Sequence, residues 1–156
     1  MIYVPKTSQS TYISSILALN VISPEYTGDW HSCSYWEHPE RSKIDLWIFG
    51  DGQKFNTNCL LGSLGVIDGT KRLNEMGYFP ENKPVWIAEH SRAVVDLLYV
   101  TVLKSGNIGT IILDDWFPSI DDKKRVYSLL SIIEKKLDKK EYEILQKWKE
   151  KNPITE

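Results

Sequence analysis

Three groups of residues carry side chains suited to catalysis or ion pairing, and His31 with Cys33 form the first of them. An imidazole that hydrogen-bonds a thiol is the arrangement that activates a cysteine nucleophile. Alternating bulky and small residues predict a strand over 29–36, which places both side chains on one face. Their Cβ atoms are then about 6–7 Å apart, beyond hydrogen-bond reach. We therefore expect ordinary strand residues here and keep a small hydrolase or transferase as an alternative.

Asp114 and Asp115 form the second group, directly after the apolar run 110–113. Carboxylates at the end of a strand can hold Mg²⁺ or act as a general base, so this corner is the other place for that alternative enzyme. No phosphate-binding or dinucleotide-binding glycine motif accompanies them, and the three histidines are scattered along the chain. We expect a solvated turn here, with no metal, no cofactor and no catalytic residue.

Arg92 and Asp96 are the third group, and they lie one helical turn apart in a helix predicted over 91–104. This helix is apolar on nearly every side, and burying an unpaired charge in it would cost several kcal/mol. Arginine before aspartate is the less favourable order for an exposed pair. The sequence therefore predicts a buried ion pair that fixes how the helix docks. The alternative is that Arg92 pairs with a carboxylate of a partner protein.

The elements predicted around these residues form an α+β fold, with a small, mostly antiparallel sheet, packed helices and a C-terminal helical hairpin. Residue spacing predicts helices at 12–21, 68–77 and 91–104, strands at 29–36, 43–49 and 85–88, and a strand or extended core segment at 110–113.

The hairpin is predicted from a helical apolar pattern through Val126, Leu130 and Ile133, followed by a second helix. Asp138 and Glu141 have the spacing of a capping box, which marks the start of that second helix. We expect one domain over 1–156, made of an α+β body (1–118) and the helical hairpin (119–156).

Composition favours an ordinary globular protein, with 42% hydrophobic and 26% charged residues in 156. The net charge is −2, which makes nucleic acid an unfavoured partner. Residues 1–120 hold 9 basic and 13 acidic side chains, whereas 121–156 hold 10 basic and 8 acidic ones. No signal peptide and no apolar run of about 20 residues are found, so we expect a cytoplasmic protein, no membrane partner and two reduced cysteines.

Aromatic residues are numerous, with six Trp and eight Tyr. Exposed aromatics are the usual anchors of protein interfaces, although each of them can equally serve the core. The candidate anchors are Trp30, Tyr35, Trp36, Trp116 and Trp148.

The segment 87–99 resembles a pattern of AbiEi-like antitoxins, bacterial proteins encoded beside nucleotidyltransferase-fold toxins of the AbiEii type. In that family a strand leads into Val-Ala-Ser-Pro-Glu-Arg-Ala-Leu-Leu-Asp-Leu-Leu-Tyr. His90 stands here in the place of the proline and Ser91 in that of the glutamate. The shared residues are Ala88, Arg92, Ala93, Asp96, Leu97, Leu98 and Tyr99.

The resemblance implies a non-catalytic cytosolic protein that neutralises a cognate toxin by direct contact in phage defence, and a nucleotidyltransferase is the toxin that it suggests. Those antitoxins usually begin with a winged helix-turn-helix that binds operator DNA. Residues 1–28 offer one helix at most and no basic recognition helix, so toxin binding rather than promoter binding is implied. An immunity protein or a phage-encoded inhibitor would follow the same binding logic.

Overall fold

The computed structural model describes residues 4–29, 36 and 47–154. Within them, four short strands form one mixed sheet in the order β2-β1-β4-β3. β1 pairs antiparallel with β2 and parallel with β4, and β3 pairs antiparallel with β4. The predicted small, mostly antiparallel sheet is therefore confirmed. The strands are β1 (Thr11–Ile13), β2 (Ile48–Gly50), β3 (Val66–Asp68) and β4 (Trp86–Ala88).

Helices dominate the described part of the chain and pack beside this sheet, which confirms the predicted α+β fold. None of the helices in these residues is both long and apolar enough to cross a membrane. The α-helices are α1 (Ser15–Leu19), α2 (Asn58–Leu61), α3 (Thr70–Glu75), α4 (His90–Leu98), α5 (Leu113–Trp116), α6 (Ile120–Glu134) and α7 (Lys139–Lys151).

Helix α4 is the centre of the fold, because all of its residues are buried. It packs against α1 on one side and α6 on the other. A π-helical segment (Tyr99–Leu103) continues it. The helical segment then ends before Gly106. The N–H of Gly106 donates to the carbonyl of Val102 at 2.7 Å, and the φ of Gly106 is +80°. The helix predicted over 91–104 is confirmed. It begins one residue earlier, at His90, and its second part is π-helical.

The helix predicted over 12–21 is wrong at its beginning, where Tyr12 and Ile13 belong to β1. Sheet pairing decides this position, because Tyr12 lies opposite Phe49 and the N–H of Ser14 donates to the carbonyl of Trp47 at 2.7 Å. The backbone then turns sharply at Ser15, the first residue of α1, whose φ is +61°. Long-range pairing thus overrides a local helical spacing.

The predictions for 110–113, 43–49 and 29–36 have different outcomes. Of the predicted segment 110–113, residues 110–112 belong to no strand and Leu113 begins α5. The carbonyl of Ile111 accepts a hydrogen bond from the indole of Trp148 at 3.0 Å. The predicted strand 43–49 falls within the described residues only at its end, where β2 begins. The predicted strand 29–36 lies almost wholly outside the described residues.

The C-terminal hairpin consists of α6 and α7, as predicted. Ser119 caps α6 by accepting the N–H of Asp122 at 3.2 Å. Asp138 and Glu141 form the predicted capping box, with the Glu141 N–H donating to Asp138 Oδ1 at 2.7 Å. Local cap residues therefore set where both helices begin.

The hairpin shares one hydrophobic core with the sheet and α4. Leu130, Leu145 and Trp148 belong to the same buried cluster as Tyr12 and Val94. A smaller cluster with Ile13 and Ile87 from the sheet lies apart from it. Lys136 also joins the end of the hairpin to α2, because its ammonium donates to the carbonyls of Cys59 and Leu60, both at 3.1 Å.

Trp148→Ala should lower the free energy of unfolding by about 3–5 kcal/mol, because it leaves a cavity in this shared core. Urea denaturation measures the change. Tyr142→Ala, at an exposed position of the same helix, is the matched control and should stay within about 0.5 kcal/mol of the wild type. Equal losses in the two variants would show that the hairpin does not pack on the sheet as described.

Candidate functional site

Arg92 and Asp96 form the ion pair that the sequence predicts. Arg92 Nε donates to Asp96 Oδ1 at 3.1 Å, and both side chains are 0% exposed. Removing two charges from water costs several kcal/mol per ion, so the pair is tolerable only when the remaining donors and acceptors are also bonded.

The carboxylate of Asp96 is bonded on every side. Besides the guanidinium, it accepts hydrogen bonds from the hydroxyls of Tyr12 at 2.7 Å, Ser14 at 2.7 Å and Thr57 at 2.6 Å. An ionised carboxylate has about four lone-pair sites, and each one is occupied here.

The guanidinium of Arg92 uses all five of its N–H groups. Nη1 donates to the carbonyls of Gly62 at 2.9 Å and Leu64 at 2.5 Å. Nη2 donates to the hydroxyl oxygens of Tyr12 at 2.7 Å and Thr57 at 3.0 Å. These two hydroxyls therefore accept from the cation while they donate to the anion.

The result is a closed polar network sealed from solvent, and its role is structural. The interpretation that Arg92 pairs with a carboxylate of a partner protein is wrong, because the guanidinium is buried and fully bonded within the chain. Burial, together with the negative charge of Asp96, raises the pKa of the Tyr12 phenol far above its ordinary value.

This raised pKa predicts a loss of stability in alkali. The folded chain holds the Tyr12 proton more tightly than the unfolded chain does. The stabilising contribution of Tyr12 to the free energy of unfolding is therefore fully present below the unfolded pKa of about 10, and it is lost as the pH rises above that value. Tyr12→Phe should therefore flatten the decline of unfolding free energy above about pH 10. At neutral pH it should cost about 1–3 kcal/mol, because it removes a hydroxyl that bonds two charges.

Urea titrations between about pH 8 and pH 11 measure both effects. Tyr142→Phe on the exposed side of α7 is the control and should keep the wild-type slope. A Tyr12→Phe variant with an unchanged alkaline slope would contradict the assignment.

His90, the first residue of α4, holds a loop that the sequence did not single out. Its Nε2 donates to the carbonyl of Val21 at 2.7 Å, and because a carbonyl only accepts, Nε2 carries the proton. Nδ1 forms a hydrogen bond with the hydroxyl of Thr27 at 2.8 Å. The two ring nitrogens of His90 are thus hydrogen-bonded to Val21, just before the loop 22–29, and to Thr27, near the end of that loop.

Tyr26 stands at the tip of this loop with its side chain 89% exposed. Its φ is +55°, a backbone conformation that few residues other than glycine adopt. Two contacts fix the loop around it. The N–H of Gly28 donates to the carbonyl of Trp116 at 3.0 Å, and the carboxylate of Glu25 lies 3.6 Å from Arg125 on α6.

An open cleft beside this loop is lined by the half-buried Trp116, Gly28 and the carboxylates of Asp29 and Asp115. Ile112 is exposed one helical turn before Trp116. We name the cleft of Gly28, Asp29, Asp115 and Trp116, together with the loop residue Tyr26 two positions before Gly28, the Trp116 face. It combines aromatic and acidic side chains.

The structure places the five predicted anchor residues differently. Trp116 lies at the surface, whereas Trp36 and Trp148 are 2% and 0% exposed, so their prediction as exposed anchors is wrong. Each of those two indoles donates to a buried carbonyl, that of Leu17 at 3.1 Å and that of Ile111 at 3.0 Å. Trp30 and Tyr35 lie outside the described residues.

The acidic corner is a short helix rather than the solvated turn expected. Asp114 forms an ion pair with Lys123 of α6, and Asp115 is exposed on α5. Among the residues that the structure describes, no three His, Cys, Asp or Glu side chains are grouped as a metal site. His31 and Cys33 lie outside them.

Tyr26 is an exposed aromatic residue of the described chain that sequence reasoning did not select as a candidate. A signal was present, because Pro24 and Gly28 bracket it and predict a turn at the surface. What the sequence did not show is that His90, far along the chain, holds this turn.

No protein-family model matches the chain, and no curated protein or solved structure is significantly similar to it. Its function must therefore be inferred from its own residues and their geometry.

Gly28→Ala should loosen the loop that carries Tyr26. A Cβ at Gly28, where φ is +96°, would lie 2.6 Å from His90 Cε1 and 2.6 Å from the carbonyl oxygen of Leu19. The steric clash adds to the conformational cost of about 1–2 kcal/mol that alanine carries at positive φ. Urea denaturation should therefore show that the free energy of unfolding falls by more than this conformational cost alone.

Gly52→Ala is the matched control, because its φ is +76° but nothing lies within 4 Å of the added Cβ. It should show the conformational cost only. Equal losses at the two glycines would mean that His90 does not pack against the loop.

Proposed function

We propose that this chain is a non-catalytic binding protein of the cytoplasm, the antitoxin of a bacterial toxin–antitoxin pair, which neutralises its toxin by direct contact. The observation that carries the proposal is Tyr26, an aromatic side chain 89% exposed at the tip of a loop fixed at both ends. An exposed aromatic ring on a loop that is held in one conformation is the kind of residue that anchors protein interfaces.

The backbone at Tyr26 supports this interpretation. A positive φ in a residue with a Cβ costs roughly 1–2 kcal/mol, and such strain persists only where neighbouring contacts impose it. Here the bonds of His90 to Thr27 and of Gly28 to Trp116 impose it. The loop is therefore preorganised, which lowers the entropy lost when a partner binds.

The polar residues best suited to chemistry support a binding role as well. Among the described residues, the Arg92–Asp96 pair is buried within its own hydrogen-bond network, and His90 uses both ring nitrogens to hold the loop. These side chains position the surface instead of facing a substrate.

The likeness to AbiEi-type antitoxins concerns the scaffold. Of the residues that carry it, Arg92, Asp96 and Leu98 are buried in α4. We therefore place the toxin contact on the Trp116 face, next to the first turn of that helix. A nucleotidyltransferase-fold toxin encoded beside this chain is the partner that the likeness favours.

Tyr26→Ala and Trp116→Ala should each weaken binding to the toxin encoded next to this chain by at least about tenfold, because aromatic anchors contribute about 2 kcal/mol or more at interfaces. Co-purification and rescue of growth on co-expression measure the effect. Circular dichroism and urea denaturation check that each variant is folded.

Phe79→Ala is the matched control, since this aromatic is 71% exposed in the loop before β4, at the opposite end of that strand from His90. It should bind like the wild type. The proposal fails if the neighbouring gene product neither binds the chain nor is neutralised by it, or if both aromatic variants rescue growth fully. A phage-encoded partner would instead assign the chain to immunity or inhibition.

A further inference from the structure

We draw no further inference here: the strongest candidate, the open polar cleft between the turn before β1 and the start of α2, shows nothing that points to a ligand among the described residues, because its one unpartnered acceptor, the Oδ1 of Asn58, is closed off from solvent and Asp51 is its only carboxylate.

Discussion

The buried pair of Arg92 and Asp96 is the constraint on which the rest of the structure depends. Two desolvated charges are tolerated only if every donor and acceptor around them is bonded, and those partners come from β1, the start of α2 and the turn after it. Each of these segments is therefore held in one arrangement relative to α4. A hydrophobic core of similar volume could be as stable, but it would specify that arrangement less strictly.

The functional surface follows from the docking of α4. Once the helix is fixed, its first residue, His90, has a fixed place and bonds the loop that carries Tyr26. Helix α6 packs on the same helix and brings Arg125 to the other side of the loop. The loop that exposes Tyr26 is thus held by a helix whose own docking depends on a polar network buried from solvent.

The sequence was sufficient where the determining forces are local. Helix α4 and the hairpin were predicted because apolar spacing, Gly106 and the Asp138–Glu141 capping box act within a few residues. The ion pair was predicted because charges in an apolar helix need partners. β1 was missed because its partners, β2 and β4, lie far along the chain. For the same reason, composition did not reveal that Trp36 and Trp148 are buried while Tyr26 is exposed.

The reach of the network along the chain has a consequence for folding. The hydroxyls of Tyr12 and Ser14 stand 84 and 82 residues before the carboxylate that they bond, and Thr57 stands 39 residues before it. Before these three hydroxyls are in place, burial of α4 would leave the carboxylate of Asp96 buried without its full set of hydrogen bonds. Docking of the helix on its own is therefore not favourable in free energy. The amino-terminal strand and the central helix must therefore assemble in a single cooperative step. A chain that lacks the strand would keep both charges of the helix in water and would leave the core open.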